Sequence, residues 1–211
     1  MAGSETPISV SSQALVRLGD KPISAYAETF GGITCQNVYP FIRRRILVAY
    51  PWRITMVKSK LLNQVGGVGG TPNSEYNNAY QLPAQMFHGP RTVFNSTASD
   101  TSNKNPFKDY EIFQDQLLTD ATYIKIDYQI DVDEKDMPHF LIEMLVLALK
   151  AAIAFTVTDQ QNVKDESMIE AYGNPGENGR GGYFREATRL DAQTRPPSRV
   201  KSFPLTAVRG S

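Results

Sequence analysis

The stretch Phe140–Val157 constrains the fold of this chain more than any other. It is apolar nearly all round, interrupted only by Glu143, Lys150 and Thr156. A helix that is hydrophobic on every side has no face to offer water, so it must lie inside a bundle or be clamped between neighbours. Its longest unbroken apolar run, Met144 to Leu149, is far shorter than the roughly 20 residues of a membrane span. A core helix is therefore expected, and no membrane association. Asp136 stands where a cap would, with Pro138 in the first turn.

Other segments supply the partners for that helix. Thr6-Pro7 reads as an N-cap followed by proline at the first helical position, and Gly19 as a stop. Between them Val10, Ala14 and Leu18 recur at helical spacing. Residues 20–30 read as a connector containing Pro22. A second helix is predicted from about Ile33 to Tyr50, with Cys35, Val38, Ile42, Ile46 and Ala49 as its apolar stripe. Pro40 should bend it or mark its start, and Pro51 should end it. A fourth helix is expected near Asn162–Tyr172, ending at Gly173, and a short last one around Tyr183, Ala187 and Leu190.

Strand texture is expected from Tyr80 onward. Ile124, Ile126, Tyr128 and Ile130 alternate on one face of Tyr123–Ile130. Tyr110 to Phe113 reads as a shorter strand, Leu118–Ala121 as the turn between the two, and Met86 to Phe94 as one or two more strands. Residues 63–81, with Gly66, Gly67, Gly69 and Gly70, and the polar segment Asn95–Pro106 read as loops. From Thr194 onward three prolines and four basic residues leave no room for a helix or core. The predicted fold class is α+β, mainly α. A helical bundle domain over 1–193 carries a small inserted antiparallel β meander at about 80–131, and 194–211 forms an extended tail.

Composition narrows the function. The 211 residues carry 22 basic and 22 acidic side chains, so the basic excess of a nucleic-acid binder is missing. Zero net charge also leaves little self-repulsion against association. Cys35 is the single cysteine, so no internal disulfide can form. The N-terminus has no basic and apolar leader pattern, and Asn95-Ser96-Thr97 fits a glycosylation acceptor that has no use without secretion. Synthesis and folding in a cytoplasm are expected.

Catalytic and metal patterns are thin. His139 and Glu143 have metal-ligand spacing, but His88, the other histidine, is remote in sequence. Asp131, Asp133, Glu134 and Asp136 form an acidic run, yet the position where a calcium loop needs glutamate is Ile142. The run therefore reads as a solvated turn that favours a helix N-terminus. The glycine-rich segment lacks the lysine-serine or lysine-threonine pair of a phosphate loop, and Cys35 lies on an apolar stripe. No cofactor or metal is expected. An enzyme would have to use carboxylates such as Asp131, Asp133 or Glu143. A helix-turn-helix regulator built on Gly19 would lack a basic recognition face. Arg43-Arg44-Arg45 is the sharpest charge cluster and suits either a solvated face or a partner contact. In the tail, Val200, Phe203, Leu205 and Val208 are apolar anchors along a basic strand, a composition that suits folding onto a partner.

Taken in order, these pieces resemble phage head-to-tail adaptor proteins of the tail tubular protein A type. The likeness runs through Ala14–Gly19, Tyr39–Leu47 with Tyr50-Pro51-Trp52, Tyr80-Gln81-Leu82-Pro83, Leu117–Asp120, Ile126-Asp127-Tyr128, the alanine- and leucine-rich helix and Leu190–Gln193. It spans nearly the whole chain. Each motif is short; their order and spacing carry the likeness.

The resemblance implies a structural virion protein of the neck and tail, without catalytic activity. Such adaptors form a ring of twelve under the portal, offer a platform to the next tail or nozzle protein, and let DNA pass only as cargo. It places the portal contact on the tail, at Arg195, Arg199, Val200, Lys201, Phe203, Leu205 and Arg209. It places the subunit interface at Arg43, Arg44, Arg45 and Trp52, and the loops 63–79 and 95–106 towards the tail side or a neighbour. A stopper-type neck protein is the alternative within the same class.

Overall fold

A computed structural model describes residues 5–65, 75–87, 89–97 and 106–194. The fold is α+β and mainly α. In chain order the elements are α1 (Pro7–Arg17), α2 (Phe30–Ala49), β1 (Met56–Leu61), β2 (Asn78–Gln81), β3 (Thr92–Asn95), β4 (Glu111–Phe113), β5 (Gln116–Thr119), β6 (Ile124–Gln129), α3 (His139–Thr158), α4 (Gln161–Tyr172) and α5 (Gly182–Gln193). The tail 195–211, with every residue expected to meet a portal, lies outside the described residues, as do residues 66–74, 98–105 and His88.

The apolar helix takes the central place its composition demands. By length and composition alone α3 passes for a membrane span, so the short run Met144–Leu149 understates it. In this fold α1, α2, α4 and α5 cover its sides instead. Leu141, Met144, Leu145, Leu149 and Ile153 are wholly buried there. Asp136 does not cap it. That residue closes a single 3-10 turn, Glu134–Asp136, and Pro138 occupies the N-cap with extended backbone. The Pro138 carbonyl accepts from the backbone N–H groups of Leu141 and Ile142.

Local signals set α1. Thr6 and Ser9 cap each other reciprocally, Pro7 fills the first position, and Gly19 follows with φ +83°. The helix α2 begins three residues before the predicted Ile33. Thr29 Oγ1 accepts from the Gly32 N–H at 2.9 Å, and a Cβ on Gly32 would collide with the Tyr26 carbonyl oxygen. Glycine is used there for close approach, not for flexibility. Pro40 lies within the helix rather than at its start. Its core face is Cys35, Tyr39, Ile42, Ile46 and Leu47, while Ala49 of the predicted stripe is exposed.

The β insertion begins at Met56, not Tyr80, and pairs as two three-stranded antiparallel sheets, ordered β1-β6-β3 and β2-β5-β4. Strand β1 lies outside every predicted strand. Leu118 and Thr119 belong to β5 rather than to a turn. The ends of the supposed loop 63–81 are also paired: Gln64 bridges Tyr80, and the Val65 N–H donates to the Ala79 carbonyl at 2.8 Å. Both sheets contribute to one apolar cluster, with Tyr80 and Leu117 from one and Val93, Ile124, Ile126 and Tyr128 from the other. The alternation in β6 is real, but its second face is not solvated: Gln129 is buried against α2.

Candidate functional site

The C-terminus of α2 leaves backbone carbonyls without helical donors, as every helix does. Pro51 has no N–H, so it cannot supply the bond that residue 51 would give to the Leu47 carbonyl. Gln129 supplies it: its two Nε2 hydrogens are shared among Leu47 O at 3.1 Å, Tyr50 O at 3.0 Å and Thr55 Oγ1 at 2.9 Å. Arg91 Nη2 in turn donates to Gln129 Oε1 at 2.7 Å. Trp52 serves the neighbouring carbonyl, its indole Nε1 donating to Ile46 O at 2.8 Å. The indole stands edge-on to Tyr50 and to Phe184 and tilted against Phe140.

That placement corrects the expectation for Trp52. It is 0% exposed, a core joint among α2, α3 and α5, and has no surface to give to a neighbouring subunit.

The arginine cluster divides in the same way. Arg43 turns inward to the turn before α3. Its Nε lies 2.8 Å from Glu134 Oε1 and its Nη2 lies 2.7 Å from Asp131 Oδ1, and Nη2 also donates to the Val132 carbonyl at 2.6 Å. The Tyr39 hydroxyl donates to Glu134 Oε1 at 2.6 Å. Burial, then the bond to Glu134, push the Tyr39 phenol far above its ordinary value. Burial opposes the charge of Arg43, but Asp131 and Glu134 outweigh it and hold the guanidinium above its usual value. Glu134 is therefore a buried, paired carboxylate and not part of a solvated acidic turn. A cleft of about 800 Å³ opens beside this cluster, walled by Tyr26, Pro40, Met86 and Phe87.

Arg44 and Arg45 are exposed and make no ion pair among the described residues, although Arg44 also lines the cleft. The Arg44 guanidinium sits 6.0 Å from the centre of the Phe87 ring, and that of Arg45 sits 4.9 Å from the Tyr172 ring. One turn earlier on the same side of α2 comes a feature the predicted stripe did not include. Phe30, Ile33 and Phe41 are 68%, 47% and 76% exposed and fall with Asn37 on one line along the helix, opposite the core face. The signal was present in the sequence as a second apolar stripe out of phase with the first.

Of the acids named for an enzyme, Asp131 and Asp133 line this cleft together with Glu134, while Glu143 is not among its walls. Asp131 pairs with Arg43, Asp133 with Lys135 at 3.2 Å, and Glu143 with Arg17 at 2.6 Å. Glu143 thus ties α3 to α1 through two parallel hydrogen bonds, at 2.6 and 2.8 Å, instead of joining His139. No group of three potential metal-binding side chains occurs among the described residues. This arrangement locks α2 to the sheets and to the start of α3, and it leaves a cationic, apolar outer face on α2.

These features define a mainly helical α+β bundle. No family model matches the chain, and no curated protein matches it.

Proposed function

We propose that this chain is a structural head-to-tail adaptor of a phage virion. It forms a ring, of twelve subunits, beneath the portal and presents a platform to the next tail or nozzle protein while DNA passes through. The observation that carries this is the order of motifs from Ala14-Leu15-Val16-Arg17-Leu18-Gly19 through Tyr39–Trp52 and Tyr80-Gln81-Leu82-Pro83 to Leu190–Gln193. Support comes from the mainly helical bundle with its β insertion and from the outward cations Arg44 and Arg45 beside exposed Phe41.

In this role the polar clusters hold one rigid shape and no cofactor is used. The subunit contact falls on the outer face of α2. The portal contact falls on 195–211, where Phe203 and Leu205 act as apolar plugs and Arg195, Arg199, Lys201 and Arg209 as charge contacts. A ring repeats these modest contacts many times, so attachment is tight although each contact is weak. The protein is made in the host cytoplasm and ends in the virion neck.

The test is deletion of residues 195–211, followed by binding to portal rings of the same phage. Loss of binding is expected. Unchanged binding would move the portal contact elsewhere and favour a stopper-type neck protein.

A further inference from the structure

Two outer faces of the bundle are opposite in charge and alike in carrying exposed apolar side chains. The first is the α2 face. The helix has three arginines and no carboxylate, Arg44 and Arg45 are exposed, and Phe30, Ile33 and Phe41 stand out from it. The second is the α4 face. That helix contains Asp165, Glu166 and Glu170 against one lysine, Lys164. Asp165 and Glu166 are exposed and make no ion pair among the described residues; Glu170 is held by Lys150 at 2.6 Å. Between the acids Met168 and Ile169 are 38% and 45% exposed. Exposed apolar side chains rimmed by charge mark protein contacts, and complementary rims select the partner and its orientation.

We infer that the α2 face of one copy docks on the α4 face of the next, with Phe41 and Ile33 against Met168 and Ile169, and Arg44 and Arg45 against Asp165 and Glu166. The occupant of each face is therefore a second copy of this chain. The contact is heterologous, since two different surfaces meet, and a heterologous contact repeats into a ring or a filament rather than stopping at a two-fold dimer. Pairing α2 with α2 would set arginines against arginines, and pairing α4 with α4 would set acids against acids. This deepens the ring proposal, on which it rests for closure, but the pairwise contact can be measured without a portal.

Disulfide trapping between two single-cysteine changes tests it. Phe41→Cys and Ile169→Cys are exposed positions, so both variants keep the core intact. Native Cys35 is buried, with its thiol pushed up to about 11, and does not compete. The two variants are mixed at the highest soluble concentration under mild oxidation. Each is also oxidised alone, and Ile112→Cys on β4 serves as an exposed control. Several-fold more cross-linked dimer is expected from the Phe41→Cys and Ile169→Cys mixture than from either variant alone or from the control. Adding Arg44→Glu to the first variant should abolish the excess, and adding Glu166→Arg to the second should restore it. A mixture no better than the control, or a preference for Phe41→Cys pairing with itself, overturns the inference. Mixed trapping by a chain that ignores portal rings leaves this contact standing and removes the adaptor role. Portal binding without mixed trapping removes this contact alone.

Discussion

Gln129 Nε2 donates to the Leu47 carbonyl at 3.1 Å, which gives the last turn of α2 the donor that Pro51 cannot provide. The same side chain reaches Tyr50 and Thr55, so one amide of the middle strand β6 fastens the β insertion to the bundle. Such a buried amide is costly to replace, because the Leu47 carbonyl is left without a donor, while the Tyr50 carbonyl keeps the Trp52 N–H.

Gln129→Leu is accordingly expected to lower stability by about 1–3 kcal/mol, the cost of leaving the buried Leu47 carbonyl unpaired. Trp52 is the only tryptophan, so its emission reports the joint directly in urea unfolding. A midpoint unchanged from the parent protein would show that water replaces the amide at no cost.

Trp52→Ala should cost about 3–5 kcal/mol, the range for deleting a large buried aromatic side chain. Trp52→Phe should cost less: it keeps most of the packing against Phe140 and Phe184 but leaves the Ile46 carbonyl without the indole donor. Circular dichroism melts measure both. A neutral Trp52→Ala would contradict the placement of this residue in the core.

The neighbouring arginines separate a folding role from a surface one. Arg43→Met strands the buried Glu134 carboxylate with only Tyr39 and should cost about 3–5 kcal/mol, as breaking a buried pair does. Arg44→Ala, at an exposed position, should stay within about 0.5 kcal/mol of the parent. Equal effects of the two changes in chemical unfolding would contradict the inward and outward assignment.

Asp191 yields a prediction in pH. It is 4% exposed and accepts from the Arg53 backbone N–H at 3.2 Å. Burial raises its carboxyl above the ordinary 3.8, with the Arg53 N–H opposing. A raised carboxyl holds its proton more tightly in the folded chain. Its contribution to stability is therefore fully present below pH 3.8 and is lost as pH rises through the folded-state value. Asp191→Asn keeps an acceptor for Arg53 and should remove that part of the pH dependence, making the variant relatively more stable at neutral pH. Melting curves from pH 3 to 7 that remain parallel for the two proteins would contradict it.

Much of the fold was legible where the cause is local. Thr6-Pro7, Gly19 and Gly173 set helix ends through caps and left-handed backbone, and the all-apolar α3 announced its own burial. Strand β1 escaped because Met56–Leu61 has its pairing register broken by an irregularity between Val57 and Lys60, so no clean alternation marks it. The place of Trp52 is not legible locally, because an aromatic after proline looks the same in sequence whether it faces a neighbour or its own core. The deciding contacts, to Phe140 and Phe184, lie far along the chain. The burial of Glu134 is hidden for the same reason: only Arg43 and Tyr39, from another helix, turn an acidic run into a buried pair. The outer stripe of α2 was written in the sequence, but the core stripe on the same helix drew the periodicity first.

The most direct measurement is the mass of the purified chain alone and after mixing with preassembled portal rings of the same phage. A monomer alone, and a complex that gains twelve copies on the portal, is the predicted result. A chain and a portal whose masses remain separate at every ratio would contradict the adaptor role.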